Sequence, residues 1–169
     1  MQTAIAILLV FLGGFAVMVM EIIGARFLLK DFGGAFYVLT SHIGVVLVAL
    51  SLGYWFGGRW ADRFQRTRFL AWLLAPSGLF TFAIPDFAPR LIDGLVSRHP
   101  ADADIPLLWQ KLDPALGSAL IFLFPCFALA TLSPYMIRLA AARRAGQVGS
   151  VSGAVYAAST AGSVAGVFI

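Results

Sequence analysis

The sequence predicts an all-α integral membrane protein, a polytopic bundle of about five transmembrane helices. Three observations carry that expectation. The 169 residues are 60% hydrophobic and only 12% charged, whereas a water-soluble domain would carry about 25% charged residues. Mean hydropathy is +0.90. Five apolar runs approach the roughly 20 residues that cross a hydrocarbon core of about 30 Å, and the connections between them alternate in charge. Residues 1–169 are read as one transmembrane helical domain, compatible with half of a larger transporter-like architecture.

The first run, residues 3–23, has no Lys or Arg before it and continues into Met20, Glu21 and Ile22 without a small-residue cleavage site. It is expected to be a retained helix and not an export signal. The second, 36–57, carries His42 early. The third, 69–87, is the shortest and contains Pro76. The fourth, 115–137, contains Pro125 and Pro134; at Pro125 the missing N–H and the ring should disturb the preceding turn. The fifth, 148–169, is built largely of Gly, Ala, Ser and Val and is the weakest by hydropathy. Residues 88–114 are the one sizeable hydrophilic stretch and are expected to form an outer-side loop. Within it Leu91, Ile92, Leu95 and Val96 have the spacing of a short interfacial helix, Pro100 and Pro106 would interrupt it, and Trp109 would sit at headgroup level.

The charge pattern orients the path. Arg26 and Lys30 balance Glu21 and Asp31 in the first connection. Arg59, Arg63, Arg66 and Arg68 against Asp62 make the second +3, and Arg138, Arg143 and Arg144 make the fourth +3. The third is −2, with Arg90, Arg98 and Lys111 against Asp86, Asp93, Asp102, Asp104 and Asp113. Basic connections stay on the cytoplasmic side. The N-terminus and Arg66 are therefore expected inside, with Asp102 and the C-terminus on the periplasmic or extracellular side. The arginines punctuate apolar runs in place of forming a polar surface, so they read as topogenic and no nucleic-acid partner is expected. The lone Cys126 excludes an intrachain disulfide and a cysteine metal cluster.

Among polar residues, Glu21 stands near the outer end of the first run, and an acid inside hydrocarbon is a functional candidate by default. His42 lies at a similar depth in the second run, which makes Glu21 and His42 a candidate proton-responsive pair. The plainer alternative is a helix-end acid meeting water beside a core histidine satisfied by a carbonyl. Two ligands do not make a zinc site, which needs three or four, so neither metal nor cofactor is expected. No nucleophile or oxyanion site accompanies the pair, which argues against an enzyme. The string from Gly53 to Arg66 holds a candidate cytoplasmic loop anchor, Gly58, Asp62, Arg63 and Arg66. Its glycines should let helices approach closely, and Asp62 should accept hydrogen bonds at a helix start or pair with an Arg of another connection. In the fifth run Gly149, Gly153 and Ala157 mark one small-residue face, and Ala158, Gly162 and Gly166 a second, both suited to helix packing.

Two resemblances follow from these strings. Gly58-x-x-x-Asp62-Arg63 with Arg66 resembles the loop between the second and third spans of major-facilitator transporters, where it helps stabilise one state of alternating access; Gln65 stands where that family has glycine. The order Gly14, Glu21, Arg26, then Gly53 to Arg63, then Ser133-Pro134-Tyr135-Met136-Ile137-Arg138, then Tyr156-Ala157-Ala158-Ser159-Thr160 resembles the membrane region of bacterial spermidine-synthase-like membrane proteins across nearly the whole chain. Ser159 replaces an Asn of that pattern. Family members carry a soluble aminopropyltransferase-like domain, and no such domain or Gly-x-Gly-x-x-Gly motif occurs within these residues. The resemblance implies a membrane module of the bacterial inner membrane and does not imply spermidine synthesis. The expected role is a structural or accessory membrane subunit, or a stand-alone membrane module, in contact with lipid and with another membrane protein or further copies of itself. The alternative is a component of an oligomeric small-solute or polyamine transporter.

Overall fold

The structure, a computed structural model, describes residues 2–34, 36–64, 66–99, 105–142 and 147–169. Gln65, Pro100, Asp102, Asp104, Arg143 and Arg144, which entered the motif and charge readings, lie outside the described residues. Five helices account for nearly all of the rest: α1 (Gln2–Phe32), α2 (Phe36–Arg63), α3 (Thr67–Val96), α4 (Leu107–Ala141) and α5 (Val148–Val167). Each of α1 to α4 contains a stretch long and apolar enough to cross a membrane. The 20-residue α5 is outside that set, because Gly, Ser and Thr dilute its valines.

Hydropathy misplaced several helix ends, for one physical reason. A run stops looking apolar once charges appear, yet a helix continues while one face still packs. In α1, Arg26 and Lys30 are exposed but Leu28 between them is completely buried, so the helix reaches Phe32. There Gly33, at φ +86°, takes the left-handed conformation that ends helices at little steric cost. In α3, Ala88, Ile92 and Leu95 are buried one above another at the spacing of a helix face. The residues expected to form an interfacial helix inside an 88–114 loop are therefore the last turns of α3, and residues from Leu107 onward belong to α4.

Pro125 acts as expected. The turn immediately before it, Ala119–Leu123, is a π-helix, a widening that accommodates the lost donor and the ring. Farther on, the Thr131 hydroxyl donates to the Ala128 carbonyl at 2.7 Å, marking a local break before Leu132.

The helices alternate in direction around two buried clusters. One gathers Leu28 of α1, Val38, Val46 and Ala49 of α2, Ala88 and Ile92 of α3, and Ile121, Phe122 and Cys126 of α4. The other joins Val10, Ala61, Leu70, Leu132, Tyr135, Met136 and Val155. The second cluster thus combines the start of α1, the end of α2, the start of α3, the end of α4 and the start of α5. The described residues that flank the second and fourth connections consequently share one end of the bundle.

Close approach of backbones does most of the joining. Lipid offers little hydrophobic reward for helix association, so small residues at contacts matter. A Cβ on Gly162 would collide with the Phe11 carbonyl oxygen, and one on Gly14 with that of Ser159; one on Gly166 would lie 2.8 Å from the Phe15 oxygen. These three glycines seat α5 along α1, and the Ser163 hydroxyl adds a 3.2 Å bond to the Gly14 carbonyl. On α2 the equivalent positions are Gly53, whose Cβ would be 2.6 Å from the Phe127 oxygen, and Gly57, at 2.8 Å from the Thr131 Cα. Gly149, Gly153 and Gly58 have open space beside them. Within this one chain, close packing of the α5 glycines is seen at Gly162 and Gly166, and on α2 the close approach is at Gly57, with open space beside Gly58.

Candidate functional site

Glu21 does not stand at a helix end. The helix runs eleven residues farther, to Phe32, which places Glu21 about 16 Å inside it at 1.5 Å per residue. It is half-buried and lines a cavity of about 110 Å³ between α1, α2, α4 and α5. Four hydroxyl-bearing residues share the cavity: Tyr54, Ser133, Ser159 and Ser163. Gly13 and Gly14 form part of the same wall, so the glycines that admit α5 also leave room beside the acid. An acid that shares a cavity with several hydroxyl-bearing residues offers the donor and acceptor types to hold a proton, a water or a small cation.

His42 is adjacent but differently employed. Its Nε2 lies 3.0 Å from the Glu21 main-chain oxygen, and its Nδ1 lies 2.7 Å from the Ser118 hydroxyl. A carbonyl only accepts, so Nε2 carries a hydrogen, and the neutral ring is completed when Nδ1 accepts from Ser118. The ring is 0% exposed and meets Phe122 edge-on at 5.1 Å between centroids. Gly24 makes the space: a Cβ there would stand 2.8 Å from both His42 Cε1 and Phe122 Cζ. His42 therefore ties α2 to α1 and α4. The structure brings the two members of the expected pair together through the Glu21 backbone, while the Glu21 cavity is furnished by other residues.

The loop anchor assembles at the opposite end. Asp62 Oδ1 accepts from Arg138 Nε at 2.6 Å, an ion pair between α2 and α4 of the kind expected of Asp62. Its side chains are 69% and 44% exposed, so its energetic weight is small. Tyr135 holds the turn more directly. Its hydroxyl lies against the Phe64 carbonyl oxygen and 2.9 Å from that of Arg66, while Phe69 stacks between Phe64 and Tyr135. Arg63 lies over the Phe64 ring at 5.5 Å, and Arg66 is exposed. Sequence reasoning missed Tyr135, Ser118 and the cavity hydroxyls. The signal for Ser159 and Ser163 was their four-residue spacing on the helix face that also carries Gly162 and Gly166; nothing local marked Tyr54 or Ser118.

Comparison with family models, with curated proteins and with solved structures gives no match.

Proposed function

We propose that this chain is a membrane-embedded component of a small-solute transport assembly, in which Glu21 holds a proton or a small cation. The observation that carries the reading is the placement of Glu21, well inside a membrane-length helix and beside a cavity lined by Tyr54, Ser133, Ser159 and Ser163. An ionisable residue at such depth is costly and is characteristically retained for ion or proton pathways. On this reading all five helices span the bacterial inner membrane. The N-terminus and the arginine-rich end are cytoplasmic, and the C-terminus lies on the outer side. Kinship with the membrane region of spermidine-synthase-like proteins is part of the proposal. Its support is that the resembling strings meet in space: Gly14 abuts Ser159, Gly57 abuts Pro134, and Asp62 pairs with Arg138.

A purely structural or accessory subunit is the second reading, favoured by the exposed Gly149, Gly153 and Ala157 stripe on α5. The two are separated by gentle extraction, identification of co-purifying chains, and reconstitution of the assembly into vesicles carrying a trapped pH dye. Proton or sodium flux that is lost in Glu21→Gln and retained in Asp86→Asn supports transport. Flux unaffected by Glu21→Gln overturns the role given to Glu21; a stable complex with no flux favours the accessory reading.

A further inference from the structure

We propose that the end of the bundle opposite the Asp62–Arg138 pair holds a binding site for a primary ammonium group, separate from the Glu21 cavity. A cavity of about 410 Å³ opens there between the end of α1, the start of α2, the end of α3 and the start of α4, within the size range of small-ligand pockets. Two carboxyl residues line it, Asp31 and Asp113, together with the aromatic rings of Phe32, Tyr37 and Trp109. No Lys or Arg is among its described lining residues.

Asp113 supplies the observation that points to a ligand. Its side chain is only 6% exposed, and Oδ2 accepts from His99 Nε2 at 2.6 Å. The other oxygen, Oδ1, is buried without a hydrogen-bond partner among the described residues. A buried acceptor left unpaired is expensive, and an N–H donor removes that cost. The donor set favours an organic cation over a metal ion, because among the described residues no three His, Cys, Asp or Glu side chains converge on a point and a metal needs more oxygen or nitrogen ligands than the two acids provide. Aromatic walls attract a cation over their faces and cover an apolar chain attached to it. Two carboxylates call for N–H donors, so a primary ammonium fits better than a quaternary one.

An ammonium group can belong to a free amine or to an ethanolamine lipid headgroup, and the test separates them. Purified protein in phosphatidylglycerol nanodiscs, which contain no amine, is titrated with butylammonium by calorimetry. Saturable binding is expected, weakened about tenfold or more in Asp113→Asn and Asp31→Asn and unchanged in Asp86→Asn on the exposed face of α3. Asn at 113 can still accept from His99, so the variant isolates the charge. Trp109→Leu provides a second route to the same reading if an aspartate variant fails to fold, and tetramethylammonium, lacking N–H, should bind more weakly. Lower butylammonium affinity in phosphatidylethanolamine nanodiscs assigns the site to a headgroup, and unchanged affinity assigns it to a free amine. Absence of saturable binding to the wild type, or equal binding by folded Asp113→Asn and Asp31→Asn proteins, overturns the proposal.

Discussion

His42 shows how a single side chain can be committed by geometry. Both ring nitrogens are occupied, one on the Glu21 carbonyl and one on Ser118, in a site sealed from solvent. Ser118→Ala leaves Nδ1 buried and unpaired, and the expected cost is about 1–3 kcal/mol, read as a lowered Tm in detergent. His42→Ala should cost more, and the double variant should cost less than the sum, since both remove the same bond. At the other end, Tyr135→Phe removes the hydroxyl that holds the Phe64–Arg66 turn, whereas Asp62→Asn weakens an exposed pair worth about 0–1 kcal/mol. Thermal unfolding should therefore rank Tyr135→Phe as more damaging than Asp62→Asn, and Arg68→Gln as nearly neutral; the reverse order would make the ion pair the true anchor.

At the scale of elements, the helix count and the role of Pro125 were legible because apolar length and a missing donor are local properties. Helix ends were not, because Leu28 and Ile92 owe their burial to partners distant in sequence. The α5 faces were visible as a pattern, yet two equivalent small-residue stripes cannot say which one meets α1. Contact with Phe11 and Phe15 selects Gly162 and Gly166. Gly162→Leu should accordingly detach α5 from α1, seen as a lowered Tm and new protease cleavage between α4 and α5. Gly153→Leu, at a position with open space, should leave both unchanged. Equal damage from the two variants would contradict the seating of α5.

For the molecule as a whole, the end of α2 and the end of α4 meet at one end of the bundle, where Asp62 pairs with Arg138, so the described residues that flank the second and fourth connections share that end. The proposal that this end is cytoplasmic rests on the basic residues of the two connections. In a Cys126→Ser background, a membrane-impermeant thiol reagent applied to intact cells should label His99→Cys and spare Arg66→Cys; labelling of both from outside would reject the five-span path. The candidate site was half legible. Glu21 stood out as an acid in an apolar run, but its cavity draws Tyr54, Ser133, Ser159 and Ser163 from three other helices, and only folding places them beside it. The central claim, that this cavity makes Glu21 an exchangeable proton or cation site, is most directly tested by infrared difference spectroscopy of the protein in lipid across pH and sodium steps. The account expects a carboxyl band that responds to one of those steps and is missing in Glu21→Gln. Identical difference spectra from wild type and variant would contradict it.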